Sequence, residues 1–164
     1  MKTPNQIGTY AAVTFHTDTN KAIHNYIRAA KLPNAVRPDK LHTTLLYSRV
    51  QLPEYVPLGL MMLANYGTPI GLSILPGEHK ERCLVLNYSC PELEERHRYL
   101  TEKHSAPYDF PDYITHVTLS YNIGDLDICT LPDIHSYVNS ICIVNEYSRN
   151  LITNWSSTVL INKS

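Results

Sequence analysis

A short motif that occurs twice contains the residues of this chain best suited to acid–base catalysis. Residues 42–47 read His-Thr-Thr-Leu-Leu-Tyr and residues 116–121 read His-Val-Thr-Leu-Ser-Tyr, so four of six positions are identical at an offset of 74 residues. A lone His-x-Thr is expected by chance in a chain with eight histidines, but two extended copies in matching surroundings are not. The repeat therefore indicates a functional pair.

Each motif predicts a strand that presents its histidine and its threonine on the same face, because side chains two residues apart share a face. The leucine after each threonine should point the other way, toward a core. Two such strands facing each other would bring two imidazoles and two hydroxyls around one cavity. The four candidate catalytic residues are His42, Thr44, His116 and Thr118.

Two histidines and two threonines are the groups that cleavage of a phosphodiester needs. A neutral imidazole takes a proton from the attacking oxygen, and a protonated one gives a proton to the leaving oxygen. Threonine hydroxyls can hold the non-bridging phosphate oxygens without adding a charge. Since no carboxylate or Cys/His cluster accompanies the pair, we expect no metal ion and no cofactor. The repeat makes the two histidines nearly equivalent, so which is base and which is acid stays open.

The composition is that of one globular domain whose charge does not suit a polyanionic partner. The 164 residues are 43% apolar and 18% charged, which excludes disorder and fits a single core. The net charge is −1, whereas proteins that track long nucleic acids or anionic membranes are normally basic. No signal-peptide or membrane-spanning pattern is present, and the four cysteines lack zinc-site or disulfide-framework spacing. We expect a cytoplasmic protein with no membrane, long nucleic acid or obligatory protein partner.

The motifs end two predicted strand–helix–strand units. In the first, a strand at 10–15 leads through capping residues 17–19 to an amphipathic helix, and a strand follows at 41–50. In the second, a strand at 83–88 precedes a helix that begins at Pro91, and a strand follows at 116–122. Further strands are predicted at 70–75, 140–147 and 157–161, whereas the stretch 51–67 has no predicted structure.

The order of these elements predicts an internal duplication. The two units start near residues 8 and 82, and each is too small to bury a sheet face alone. We therefore expect residues 1–164 to form a single α+β domain, in which the units share a core across a pseudo-twofold axis.

The paired His-x-Thr motifs resemble the signature of the two-histidine (2H) phosphoesterases, a superfamily that includes 2′-5′ RNA ligases and cyclic nucleotide phosphodiesterases. Within it, residues 39–49, 90–97 and 116–121 resemble the anti-CBASS proteins of bacteriophages. The resemblance implies a bilobal 2H fold with antiparallel sheets around a central cleft. It also implies metal-independent hydrolysis of cyclic di- and trinucleotides, such as 3′,3′-cGAMP, to linear products, which would disarm the CBASS defence of a host bacterium.

Three further residues are candidates for substrate binding. The resemblance suggests that aromatic residues near Tyr10 and Trp155 hold nucleobases, and stacking of a base on a ring tolerates different bases. Glu146 could accept a hydrogen bond from a base amino group. The alternatives are that the two aromatic residues only pack in a core and that the glutamate lies on a solvated face.

Two other functions fit the same motifs. A 2H enzyme could instead be a 2′,5′-phosphodiesterase or process RNA ends, since a near-neutral charge disfavours long RNA but allows a short end. A protein of a different class, a binding module, would sequester nucleotides without cleaving them. Incubation with a panel of cyclic nucleotides in EDTA distinguishes these functions.

Overall fold

Strands account for most of the regular structure in residues 6–77, 79–103, 113–154 and 157–158, which the computed structural model describes. The strands are β1 (Gln6–Phe15), β2 (Thr43–Ser48), β3 (Gly59–Pro76), β4 (Arg82–Ser89), β5 (His116–Ser120), β6 (Ile141–Asn154) and β7 (Ser157–Thr158). The α-helices are α1 (Thr17–Ala30) and α2 (Pro91–Lys103), and short 3₁₀ turns lie at Pro38–Lys40, Ile128–Thr130 and Ile134–Ser136. None of the described helices is long and apolar enough to cross a membrane.

The long strand β3 joins the two halves of the fold. The strand order is β2-β1-β6-β3-β4-β5, with β7 beside β6, and every pairing is antiparallel. The first part of β3 pairs with β6 and its second part pairs with β4. The end strands β2 and β5 approach each other, since the Thr43 hydroxyl donates to the carbonyl oxygen of His116 at 2.9 Å. The predicted α+β class with antiparallel strands around a cleft is confirmed, and its two halves are continuous through β3.

The two faces of β1 have different partners. Ala11 and Val13 are fully buried in the main core, together with apolar residues of α1 and α2. Tyr10 and Ala12 point the other way and form a small cluster with Leu151, against which Tyr47 and Tyr147 pack. We call this second side of β1, β2 and β6 the cleft face, because it also bears the motif residues described below.

The helical and strand positions follow the predicted units. α1 begins 74 residues before α2, and β1 ends 74 residues before β4, which is the offset that separates the motifs. The duplication itself stays a prediction. One detail of the first helix is different from the prediction: its cap is His16, whose Nδ1 accepts a hydrogen bond from the Asp18 amide at 3.1 Å, so the cap precedes residues 17–19.

The largest difference from the predicted elements is the start of β3 within the stretch 51–67. Glycine and proline obscure this strand, yet both occupy positions in β3 that strands tolerate. A Cβ on Gly67 would meet the Tyr88 ring at 2.4 Å, so the glycine lets that ring pack against the strand. Pro69 lies at a register shift between β3 and β4. β6 also runs past residue 147 to Asn154, and the predicted strand 157–161 is described only at residues 157–158.

Candidate active site

The two motifs lie on the two end strands of the sheet. His42 immediately precedes β2, and His116 is the first residue of β5. In both strands burial alternates: the residue after each histidine and the leucine after each threonine are fully buried, whereas both histidines and both threonines are partly exposed. The alternation predicted from sequence therefore places each histidine and threonine on the side away from the core.

Both imidazoles are oriented by the same backbone contact. Nδ1 of His42 lies 2.9 Å from the carbonyl oxygen of Lys40, and Nδ1 of His116 lies 2.8 Å from that of Ile114, two residues earlier in each case. A carbonyl oxygen can only accept, so Nδ1 carries the proton and donates it. This tautomer leaves Nε2 of each histidine as the nitrogen that takes up or releases a proton.

Burial lowers the pKa of both histidines from the ordinary value of 6.5, because a desolvated imidazole is less favourable as a cation. The hydrogen bond from Nδ1 to the carbonyl opposes this effect at both sites. The pKa of His42 is lowered further by the positive charges of His116 and Arg149. The charge of His116 therefore acts on His42, and the protonated form of both imidazoles is less favourable than in water.

Each His-x-Thr motif is followed by a β-bulge at its leucine. The register of β1 against β2 skips Leu45, and the register of β4 against β5 skips Leu119. A bulge shifts the side-chain alternation by one residue, which is why Tyr47 returns to the cleft face three residues after Thr44. The backbone carbonyl oxygens of both bulged leucines have hydrogen-bond partners. His97 Nδ1 lies 2.8 Å from the carbonyl oxygen of Leu45, and the Val36 amide donates to the carbonyl oxygen of Leu119 at 2.9 Å.

Residues that the sequence prediction missed tie the two motifs together. The Thr43 hydroxyl that donates to β5 also lies 2.6 Å from the Tyr88 hydroxyl, which therefore donates to it. The Tyr113 hydroxyl donates to the carbonyl oxygen of Thr44 at 2.8 Å, and the Tyr113 ring stacks on His97 with centroids 4.1 Å apart. The sequence held one signal for this network: Thr43 is a polar residue at a position that strand alternation assigns to the core, so its hydroxyl needs a buried hydrogen-bond partner.

The structure brings Tyr10 to the first motif. Its hydroxyl lies 3.1 Å from Oγ1 of Thr44, and its ring lies edge-to-face against His42 with centroids 6.3 Å apart. Only 5% of Tyr10 is exposed. Contact with both motif residues gives Tyr10 a position at the site, mainly through its hydroxyl and the edge of its ring.

Glu146 is not brought to the histidines. It stands opposite Val13 in the register of β1 and β6, so it lies on the face that packs against the helices. Its side chain is 1% exposed, and its two carboxylate oxygens accept from Nε and Nη2 of Arg96 at 3.0 and 2.9 Å. The Tyr55 hydroxyl and the Leu58 amide donate to it at 2.8 and 3.0 Å. These partners satisfy the Glu146 carboxylate on the face opposite the cleft face, and its contact with a base amino group stays a prediction.

Two other β6 residues do lie on the cleft face. Tyr147 stands opposite Ala12, and Arg149 stands opposite Tyr10. The guanidinium of Arg149 lies 4.9 Å from the centroid of the Tyr147 ring. Sequence reasoning passed over both, because the face of a β6 residue depends on its register with β1. Trp155, the third predicted substrate-binding residue, lies outside the described residues.

The donor set of the site is suited to proton transfer. Within the described ranges, no group of three or more His, Cys, Asp and Glu side chains could hold a metal ion. Among the described residues, the cleft face offers the Nε2 of His42, the hydroxyl of Thr44, tyrosine rings and the guanidinium of Arg149, and β5 adds the Nε2 of His116 and the hydroxyl of Thr118. Such groups can exchange protons with a substrate and bind the oxygens of an anion.

Comparison with known proteins assigns the chain to a family. The family model described as anti-CBASS protein Acb1 matches residues 7–158. A curated relative of that description from Acinetobacter phage Ac42 is 39% identical over 149 residues, which cover 90% of this chain and 93% of the relative. The relative from Salmonella phage S16 is 34% identical, with 91% of each chain covered. That from Enterobacteria phage T4 is 35% identical over 73% of this chain and 75% of its own length.

A solved structure agrees with the fold. Escherichia coli LigT in its apo form, a 2H phosphoesterase, matches with a TM-score of 0.55 at 15% sequence identity. The match covers 96% of this chain and 94% of LigT, so both halves of the fold are included. The chain thus belongs to the Acb1 family of anti-CBASS proteins, and it has the 2H phosphoesterase fold.

Proposed function

We propose that this chain is a metal-independent phosphodiesterase that hydrolyses cyclic di- and trinucleotides, such as 3′,3′-cGAMP, to linear products. The observation that carries the proposal is the matched pair of imidazoles, each with Nδ1 donating to a carbonyl and Nε2 left for proton transfer. Membership in the anti-CBASS family supports cyclic nucleotide immune signals as the substrate class. The biological role is then to counter CBASS immunity in the cytoplasm of a host bacterium.

The reaction uses the ribose of the substrate as its nucleophile. One imidazole takes the proton of a 2′-hydroxyl through Nε2, and the oxygen attacks the adjacent phosphorus. The P–O5′ bond breaks as the second, protonated imidazole gives its Nε2 proton to the leaving oxygen. A 2′,3′-cyclic phosphate results. With the roles of the two imidazoles reversed, water then opens this ring to leave a 3′-phosphate, and both histidines return to their starting states.

The threonines stabilise the charge that develops on phosphorus-bound oxygens. The hydroxyls of Thr44 and Thr118 are partly exposed beside the histidines and can donate to the non-bridging oxygens. Tyr10 contacts the Thr44 hydroxyl and so helps to orient it. The Nδ1–carbonyl contact that His42 and His116 share leaves either one able to act as the base in the first step.

Activity should be independent of divalent metal. With the protein in millimolar EDTA, we expect 3′,3′-cGAMP and cyclic trinucleotides to be converted to linear products, with chromatography as the measurement. Loss of turnover in EDTA and its return with magnesium or manganese would contradict the mechanism. Cleavage of a 2′,5′-linked dinucleotide or an RNA end, with no cleavage of cyclic substrates, would assign one of the alternative 2H activities. Tight binding with no product from any substrate would assign a sequestering module.

The pH optimum of kcat/KM should lie below 6.5. The mechanism needs one neutral and one protonated imidazole, so activity falls below the lower pKa and above the higher one. The pKa of both histidines is lowered from 6.5 in the free protein, so both limbs of the bell-shaped profile shift to the acidic side. Initial rates at substrate concentrations well below KM, between pH 4.5 and 9, measure this profile. An optimum at or above pH 7.5 would contradict the assignment of the two histidines.

A further inference from the structure

Arg149 is a cationic residue on the cleft face that the catalytic steps above do not use. Across that face, Thr44 and Tyr47 lie on β2, Tyr10 lies on β1, and Arg149 lies on β6 directly opposite Tyr10. Neighbouring strands are about 5 Å apart, which puts β6 about 10 Å from β2. The charge of Arg149 nevertheless reaches the first motif, since it is one of the charges that act on His42.

The guanidinium of Arg149 is held in place without being neutralised. It lies 4.9 Å from the centroid of the Tyr147 ring, and it also shares a side-chain hydrogen bond with Tyr147, so one residue holds the guanidinium by two contacts. Among the residues that the structure describes, no carboxylate lies at salt-bridge distance from it. Arg96 provides the contrast within the same protein, because its guanidinium is already paired with both oxygens of Glu146.

A guanidinium has five N–H donors, so a contact with Tyr147 leaves others that can bind a phosphate through two parallel hydrogen bonds. The phosphate that is cleaved belongs between the two histidines, and the Arg149 backbone lies two strands away from the first of them, so the guanidinium is placed for another anionic group of the substrate. Every cyclic di- or trinucleotide carries at least one more phosphate, separated from the first by a single ribose. That span lies within the two strand spacings, about 10 Å, that separate β6 from the motif on β2.

We propose that Arg149 binds the second phosphate of the substrate, and that this contact is what favours a cyclic oligonucleotide over a diester with a single phosphate. The inference rests on the proposed function for its substrate class. The site it assigns consists of the Arg149 guanidinium, the Tyr147 ring beneath it and the Tyr10 ring between it and Thr44.

The test measures binding, so that it does not depend on turnover. The His116→Ala protein, which lacks one catalytic imidazole on the opposite end strand, is titrated with three diadenosine probes by calorimetry or NMR. ApA is a linear dinucleotide with one phosphodiester, and pApA is the same linear dinucleotide with an additional 5′-phosphate. In 3′,3′-cyclic di-AMP two phosphodiesters close a macrocycle. The same titrations are repeated with His116→Ala proteins that also carry Arg149→Gln, Arg149→Lys or the control substitution Arg28→Gln. Arg28 is exposed on α1, which packs on the other face of the sheet.

We expect Arg149→Gln to weaken the binding of pApA and of cyclic di-AMP by about 10- to 100-fold, the loss typical of charge-assisted hydrogen bonds. The affinity for ApA should change by less than about twofold. The affinities of Arg149→Lys for pApA and cyclic di-AMP should lie between those with Arg149 and those with Arg149→Gln, because lysine keeps the charge but not the paired geometry. The salt dependence of binding should also become shallower by about one ionic contact. Arg28→Gln should change none of these values.

Four other outcomes are distinguishable. An equal loss for all three probes assigns Arg149 a purely structural role and overturns the inference, as does no loss for any of them. If the probes bind in the expected pattern but the unsubstituted protein cleaves no cyclic nucleotide, the proposed function is overturned and the Arg149 binding site remains supported. Absence of binding of every probe, by a protein that melts cooperatively, overturns both.

Discussion

Replacing His42 or His116 by alanine should lower the rate of cyclic nucleotide cleavage by about 10²–10⁴, the range for losing one general acid or base. Each replacement removes one of the two Nε2 atoms through which protons enter and leave. Replacing both should cost little more than replacing one, because the two groups act as a unit and such effects are far from additive. Single-turnover rates with 3′,3′-cGAMP measure the loss.

The control for this prediction is His79→Ala. His79 is exposed in the turn between β3 and β4, so its removal should leave the rate unchanged. Binding of the substrate should persist in both motif variants, since most contacts to the bases and phosphates remain. Near-full activity of either motif variant on every cyclic nucleotide tested would show that the catalytic site is elsewhere.

Thr44→Val and Thr118→Val should each lower kcat by about 10²–10³, as expected for the loss of one donor to a developing oxyanion. Valine keeps the branched shape and the preference for a strand, so the change removes the hydroxyl and little else. KM should change much less than kcat, because the hydrogen bond strengthens as charge builds up in the transition state. Steady-state kinetics on the same cyclic nucleotide separate the two parameters.

The matched control is Thr68→Val, an exposed threonine on β3. Thr44→Ser and Thr118→Ser should restore much of the activity, because serine returns the hydroxyl. If both valine variants raise KM and leave kcat intact, the threonines only bind the ground state, and the proposed stabilisation of charge is wrong.

Local pattern was enough to predict the position of the motif residues. The alternation that separates His42 and Thr44 from the buried residues between and after them spans only a few residues, and the second copy repeats it. The helices were predictable for the same reason, since their apolar spacing is local. The roles of the four residues stay predictions that the kinetic experiments test.

Long-range register explains what the sequence did not reveal. Glu146 and Tyr147 are neighbours on one strand, yet one lies in an ion pair beneath the sheet and the other on the cleft face. A register shift between β1 and β6 lies just before them, at Phe15, and alternation cannot be counted across such a shift. Tyr113 was invisible for a related reason: its hydrogen bond joins it to Thr44, 69 positions away along the chain.

The bulges at Leu45 and Leu119 also bear on how the protein avoids aggregation. β2 and β5 are the two end strands, and an open strand edge is a template on which another chain can add. Here each edge is short and interrupted by its bulge, and the backbone carbonyls of Leu45 and Leu119 already have partners of their own. The distortion that follows Thr44 and Thr118 thus makes the two motif strands poor templates for strand addition, so the rim of the cleft can stay open to solvent without pairing with a neighbouring sheet.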